Sequence, residues 1–268
     1  MKRIQSSILL IYTGGTIGMV MDPKTGALKP FSLDNLIKTI PELLNINFQI
    51  HSTSFENPVD STDVTPTLWI KLCEIITENY AKFDGFVILH GTDTMAFTAS
   101  ALSFMLSGLN KPVIFTGSQL PIGMIRTDGK ENLLAALEIA AEFDENGKPR
   151  VPEVGIYFDS FLFRGNRAHK SSTQNFEAFS SPNFPPLAKA GVDIIYQDKR
   201  ILSLDKKKFK VYDKVEQNIL VVTLFPGLSN FMLQNALNND NLKGVILRTF
   251  GAGNAPSDKS FLNIIEKL

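Results

Sequence analysis

The sequence predicts an α/β protein: a larger N-terminal domain built on a parallel sheet, followed by a smaller C-terminal α/β domain. Three observations predict it. Short apolar runs alternate with helical patterns through the first half, as βαβ units require. Two of those runs close on a glycine followed by a threonine, the mark of a buried strand that stops at a sharp turn. A serine- and proline-rich stretch from Ser171 to Pro186 then separates this series from a shorter one.

Taken in order, Ser7-Ile8-Leu9-Leu10-Ile11-Tyr12 is the first strand, running into Thr13-Gly14-Gly15-Thr16-Ile17-Gly18. Met21–Gly26, with its Asp, Pro and Gly, reads as a mobile loop. Ser32 opens a helical pattern through Leu33, Leu36, Ile37 and Ile40, and a strand follows near Asn47–Ser52. Thr65-Pro66 starts a helix, with a capping side chain and proline at the first helical position. Leu68, Leu72, Ile75 and Ile76 carry it to Tyr80.

The strand Phe86-Val87-Ile88-Leu89 runs into His90-Gly91-Thr92-Asp93-Thr94, and a helix follows from Met95 to Leu106. The strand Pro112–Phe115 ends in Thr116-Gly117-Ser118, after which Asp128 caps a helix bearing Leu133, Leu134, Leu137 and Ile139. Glu153–Phe158 is a further strand. This alternation implies a parallel, Rossmann-like sheet with right-handed crossovers. After the Ser171–Pro186 stretch come strands at Ile194–Tyr196, Ile219–Leu224 and Val245–Leu247, with helices near Ser229–Leu237 and from Ser257. The expected organisation is a catalytic domain over 1–185, a connecting segment over 186–210 and a smaller domain over 211–268.

Composition narrows the function. The chain of 268 residues is 44% hydrophobic and 20% charged, so it can build a full core without staples. Basic and acidic residues balance at 27 each, and the one basic cluster, Lys206-Lys207-Lys208 with Lys210, reads as a solvated turn. Nucleic acid and membrane surfaces are therefore not the expected partners. The single cysteine, Cys73, lies in a helical pattern and reads as a core residue of a reducing compartment. The apolar run after Met1-Lys2-Arg3 ends in Gly-Gly rather than a cleavage site, and no run reaches the ~18 residues of a membrane span, so the expected location is the cytoplasm.

In an open α/β sheet, ligands sit beyond the carboxyl ends of the strands. Each Gly-Thr step would deliver one hydroxyl there. Thr16 on local grounds is either a helix N-cap or a nucleophile beside backbone amides that hold an oxyanion. The dinucleotide reading is weak, since the spacing is not G-x-G-x-x-G, and a P-loop is excluded because no Gly-Lys-Ser/Thr follows. Thr92 comes with Asp93 attached, a carboxylate suited to orient a lysine or bind an amino group. His51, His90 and His169 have no metal-ligand spacing, so no metal site is expected, and His90 reads as a satisfied buried polar residue. No G-x-S-x-G elbow is present. Ser61-Thr62-Asp63 reads locally as helix-entry capping, and Lys170 as a solvated lysine.

Thr13-Gly14-Gly15-Thr16-Ile17 together with His90-Gly91-Thr92-Asp93-Thr94 resembles the paired signatures of the bacterial-type L-asparaginase/glutaminase family. Thr116-Gly117-Ser118-Gln119, Arg164-Gly165-Asn166-Arg167 and Gly251-Ala252-Gly253-Asn254 extend the resemblance over nearly the whole chain. It implies a cofactor-free amidohydrolase of the cytoplasmic type I branch, which converts L-asparagine, or L-glutamine, through a threonine acyl-enzyme. Two other readings are an ammonia-releasing amidotransferase subunit and a catalytically impaired amino-acid-binding homologue.

By resemblance Thr16 is the nucleophile, and Thr92, Asp93 and Lys170 form a second, proton-relaying triad. Gly15, Ser61, Thr62, Gly91, Thr92, Asp93 and Ser118 line the substrate, with Ser61 on its α-carboxylate and Asp93 on its α-ammonium. The resemblance also implies a homodimer or homotetramer, with Asn254 contributing in trans and Arg248 at a regulatory site, where Ala168 and His169 replace hydroxyl residues. Two departures stand out: Ala27 occupies the place of a loop tyrosine, and the C-terminal domain is short for the family.

Overall fold

The computed structural model describes residues 5–21, 28–30 and 40–267. The helix expected from Ser32, most of the Met21–Gly26 loop and Ala27 lie outside the described residues. The chain divides into two compact units, Met1–Asp213 and Lys214–Leu268.

The first unit is organised by an eight-stranded sheet. Its strands are β1 (Ser7–Tyr12), β2 (Gln49–Ser54), β3 (Gly85–Leu89), β4 (Val113–Thr116), β5 (Val154–Phe158), β6 (Phe161–Arg164), β7 (Ala188–Ala190) and β8 (Ile194–Tyr196). Across the sheet they run β8-β7-β6-β5-β4-β3-β1-β2. From β2 to β5 all pairings are parallel, as the βαβ pattern requires. The helices are α1 (Pro66–Asn79), α2 (Met95–Met105) and α3 (Gly129–Ala141). The core fuses Ile8 and Leu10 of β1, Val87 and Leu89 of β3 and Ile114 of β4 with Leu133 and Leu137 of α3. Continuous apolar runs are what a strand buried on both faces needs, and β1, β3 and β4 are such strands.

The sheet departs from the expectation beyond β5. Three antiparallel strands extend it: β6 pairs back on β5, β7 on β6 and β8 on β7. The reversal after β5 is a two-residue turn, Asp159-Ser160, with φ of 44° and 68°. Positive φ at both turn residues suits the right-handed twist of a hairpin, but Asp-Ser is not the Asn-Gly or Asp-Gly that announces one. Two consequences correct the sequence reading. Ile194–Tyr196 belongs to the first unit, where Ile194 and Tyr196 pack against its core, and residues 186–210 contribute two strands rather than a connection. The boundary between units falls after Asp213.

Ser171–Pro186 is likewise not a linker. His169–Lys170 pairs antiparallel with Phe179–Ser180, and Ser171 N donates to Ala178 O at 2.8 Å, which closes the intervening loop. Turn-forming composition at this point makes a hairpin tip.

The second unit contains β9 (Ile219–Thr223) parallel to β10 (Gly244–Arg248), with α4 (Asn230–Leu237) and α5 (Lys259–Ile265). Leu224, Leu233, Leu237 and Phe261 are its buried core. Asp258 caps α5 by accepting from Phe261 N at 3.0 Å. No described helix is long and apolar enough to cross a membrane.

Candidate active site

The two Gly-Thr steps sit at the carboxyl ends of β1 and β3, which are neighbours in the sheet. Thr13 extends their ladder: its N and its hydroxyl both donate to Leu89 O, at 3.0 and 2.9 Å. The turns that follow meet backbone to backbone. A Cβ on Gly15 would lie 2.5 Å from Gly91 Cα, and one on Gly91 would lie 2.6 Å from Ser61 Cβ. Only glycine at both positions allows this approach. The contact sets the two turns side by side, and Thr16 and Thr92 are the next residues along them.

Thr16 opens a short 3-10 turn, Thr16–Gly18, whose N-cap is Gly15 with φ 89° and no side-chain cap bond. The threonine is therefore not the cap that its local sequence allowed, and its hydroxyl bonds to no other described residue. Tyr12 lies beneath this turn, occupying the space that a side chain on Gly18 would need. Its phenol donates to Gly15 O at 3.5 Å, and burial pushes its pKa up to about 12, so it is a donor and not a base.

Around Thr92 the polar groups converge. Lys170 Nζ donates to Thr92 Oγ1 and to Asp93 Oδ1, both at 2.7 Å. The lysine is 13% exposed and Asp93 half exposed, so the pair is sheltered on the lysine side and open to water on the other. The hairpin that replaces the expected linker is what delivers Lys170: its partner residue across the ribbon is Phe179, which is buried against Phe158. Ser61, buried at 5% exposure, points its hydroxyl at Asp93 Oδ2 across 3.4 Å. Thr94 holds Ser61 in turn, its hydroxyl donating to Ser61 O at 2.6 Å.

An ammonium has three donors and no acceptor. Lys170 thus occupies a lone pair of Thr92 Oγ1, leaving the Thr92 proton to point elsewhere. Gln119 Oε1 receives it at 3.4 Å. In sequence Gln119 figures only as part of a motif, with nothing local to announce this contact. Gln119 is fixed by Asp128, whose carboxylate accepts from Gln119 N (2.9 and 3.1 Å), Leu120 N (3.1 Å) and Asn132 Nδ2 (3.2 Å). Asp128 was expected to cap α3. It stands at that N-cap without a cap bond, because its oxygens serve the 117–120 loop instead.

Other expected residues fall differently. Thr62 is exposed, and its hydroxyl and N–H both bond Asp60 Oδ1, at 2.8 and 2.9 Å. Those donors, the N–H foremost, hold the Asp60 carboxyl below its ordinary range. Ser118 is buried, with its hydroxyl donating to Leu120 O at 2.5 Å. Arg248 ends β10 and Asn254 closes a bridge with Phe250; both belong to the second unit and are exposed. Thr65 precedes α1 without the side-chain cap bond expected of it.

His90 is 1% exposed, and both ring nitrogens are bonded: Nδ1 to Gly91 O at 2.7 Å and Nε2 to Thr98 Oγ1 at 3.0 Å. Burial lowers its pKa to about 4. It is a neutral, satisfied residue directly beside the Gly91–Thr92 turn.

Comparison with known proteins places the chain among related sequences and structures. Residues 7–202 match the family model described as Asparaginase, N-terminal. L-asparaginase 1 of Escherichia coli (strain K12) is 42% identical over 98% of this chain and 76% of its own length. The crystal structure of L-asparaginase I from Vibrio cholerae O1 biovar eltor superposes with a TM-score of 0.88 at 40% identity, covering 98% of this chain and 78% of that one. A glutamyl-tRNA(Gln) amidotransferase protein of Pyrococcus abyssi stands further off, at 32% identity over 94% of this chain and 58% of its own.

Proposed function

This chain belongs to the asparaginase family, and from that premise we propose that it hydrolyses L-asparagine to L-aspartate and ammonia. The observation that carries the reading is the placement of Lys170 Nζ at 2.7 Å from both Thr92 Oγ1 and Asp93 Oδ1, beside the glycine contact that joins the Thr92 and Thr16 turns. A relay and a second hydroxyl are what amide hydrolysis by a weak nucleophile requires.

In this reading Thr16 Oγ attacks the side-chain amide carbon while its proton is taken up within the site. The C–N bond then breaks, and the nitrogen leaves as ammonia after gaining a proton. Water attacks the resulting β-acyl ester, restoring Thr16 and releasing the carboxylate. The Thr92–Lys170 hydrogen bond is the path proposed to carry protons for these steps. Asp93 receives the substrate ammonium and Ser61 its carboxylate. Gly15 and Gly91 keep the backbone close, and their neighbourhood supplies N–H groups to the developing oxyanion. No cofactor takes part in this scheme.

The test is ammonia release. Wild-type protein is expected to liberate ammonia from L-asparagine, with Thr16→Ala and Thr92→Val each lowering kcat by about 10³-fold or more. Wild type that binds aspartate yet releases no ammonia would overturn the catalytic reading. We further propose a cytoplasmic homodimer or homotetramer, to which Asn254 contributes in trans. A light-scattering mass equal to the 29.7 kDa of one chain would rule the oligomer out.

A further inference from the structure

We propose that Trp69, Thr98 and His90 form a positioning relay that sets the plane of the Gly91–Thr92 peptide, and with it the aim of Thr92 and Asp93; the catalytic consequence rests on the function proposed above. The relay starts on α1. Trp69 Nε1 donates to Thr98 Oγ1 on α2 at 3.1 Å. An indole nitrogen has a proton and no acceptor, so Thr98 must accept there and turn its own proton elsewhere. The neighbouring polar atom is His90 Nε2 at 3.0 Å.

That assignment fixes the imidazole. Nε2 is the acceptor, so the neutral ring carries its hydrogen on Nδ1. Nδ1 faces Gly91 O at 2.7 Å, and a carbonyl can only accept. The two ends of the ring, read independently, dictate the same tautomer. Thr98 is fully buried and His90 nearly so, so bulk water does not compete for these atoms. Phe115 meets the ring edge to face at 6.0 Å and holds its plane.

The output falls on the catalytic turn. Gly91 O belongs to the peptide whose nitrogen is that of Thr92, so the His90 hydrogen bond orients that peptide from one side. Ser61 blocks it from another, in the space where a Gly91 side chain would stand. If His90 served packing alone, an apolar side chain would do at lower polar cost. Instead, two helices each supply a polar group whose only evident effect is to choose the tautomer that bonds Gly91.

Thr98 separates the two roles experimentally. Valine matches threonine in shape but lacks the hydroxyl, whereas serine keeps the hydroxyl and leaves a methyl-sized gap. A packing role ranks Thr98→Val above Thr98→Ser in activity. The relay ranks them the other way: Thr98→Val loses about tenfold in kcat, and Thr98→Ser stays within about threefold of wild type. Trp69→Phe, which frees the Thr98 hydroxyl to rotate, falls between them.

A second readout needs no activity and no variant. The chain has only three histidines, so ¹⁵N NMR of labelled wild-type protein can assign the His90 ring. Protonated Nδ1 with unprotonated Nε2 is the expected signature. The opposite tautomer, or Thr98→Val at least as active as Thr98→Ser, overturns the relay. Should wild type release no ammonia from asparagine, the functional reading fails, while the NMR result still decides the tautomer on its own.

Discussion

The two Gly-Thr strand ends share a sequence pattern and are held in opposite ways. The Thr16 turn is held mainly by exclusion, with one long hydrogen bond from the Tyr12 phenol to Gly15 O. Gly14 and Gly15 take φ values of 137° and 89°, and Val59, Gly91 and Tyr12 fill the space that side chains on Gly14, Gly15 and Gly18 would need. The Thr92 turn is held by attraction, from Lys170, Gln119 and the His90 bond to Gly91 O. The difference suits the two jobs proposed for these residues. An attacking oxygen must be placed without being tied down, and steric walls do that. A relay must have its proton aimed, and only directional hydrogen bonds do that.

The comparison is most exposed at Gly15, where the walls of one turn press on the other. Gly15→Ala puts a residue at φ 89° and ψ 171°, a region essentially reserved for glycine that costs about 1–3 kcal/mol, and drives its Cβ to 2.5 Å from Gly91 Cα. Relief requires moving Gly91, and so Thr92, at an overpacking cost of about 1–3 kcal/mol. The expected result is a fall in kcat/KM of about 10²-fold or more, with a lowered thermal midpoint. Gly123→Ala is the control, since nothing lies within 4 Å of its Cβ position; it should match wild type. Gly15→Ala with wild-type kinetics would show that sterics do not position Thr16.

How much of this was legible follows the same division. Strand ends, glycines and apolar runs announce themselves in sequence because each reports a local backbone need. Thr16, Thr92 and Asp93 were legible as a chemical set on that basis. Lys170 was not: it meets Thr92 through a hairpin spanning residues 169–180, whose Ser- and Pro-rich composition also suits a linker. Gln119 and Asp128 share the obstacle. A carboxylate before a helix looks like a cap, and only the fold shows that it has turned toward the 117–120 loop. The antiparallel extension β6–β8 was hidden because Asp159-Ser160 takes positive φ without a glycine. Long-range side-chain partners are set by tertiary packing, and periodicity carries no trace of them.

Acid should discriminate between the turns. Burial depresses the folded-state pKa of His90 from 6.5 to about 4. The unfolded chain therefore binds the proton first as pH falls. The stabilisation from the neutral ring is complete above about pH 6.5 and is lost as pH drops through 4, reaching about 3 kcal/mol at full titration. Urea unfolding at pH 7.5 and 4.5, in wild type and in His90→Gln, measures this share. Wild type should lose more stability than the variant across that interval, because the glutamine amide does not titrate. Equal losses in the two proteins would remove His90 from the forces that hold the second turn.

The smallest effect sharpens the boundary of the hydrogen-bonded region. Ser61 and Thr62 are adjacent, and by resemblance both line the substrate, yet their hydroxyls face different partners. Ser61 Oγ points to Asp93 Oδ2, buried beneath Thr94, whereas Thr62 Oγ1 is exposed and bonded to Asp60 Oδ1. Thr62→Ala deletes a local turn contact, for which an exposed site loses about 0.5 kcal/mol, and the Thr62 N–H still bonds Asp60. Its kcat/KM for L-asparagine should stay within about twofold of wild type. Ser61→Ala removes the buried hydroxyl proposed to bind the substrate carboxylate, and its KM should rise about tenfold, the scale of one charge-assisted hydrogen bond. If the two variants behave alike, the line between turn and site does not fall between these neighbours, and the reach of the second network is wider than Asp93, Ser61 and Lys170.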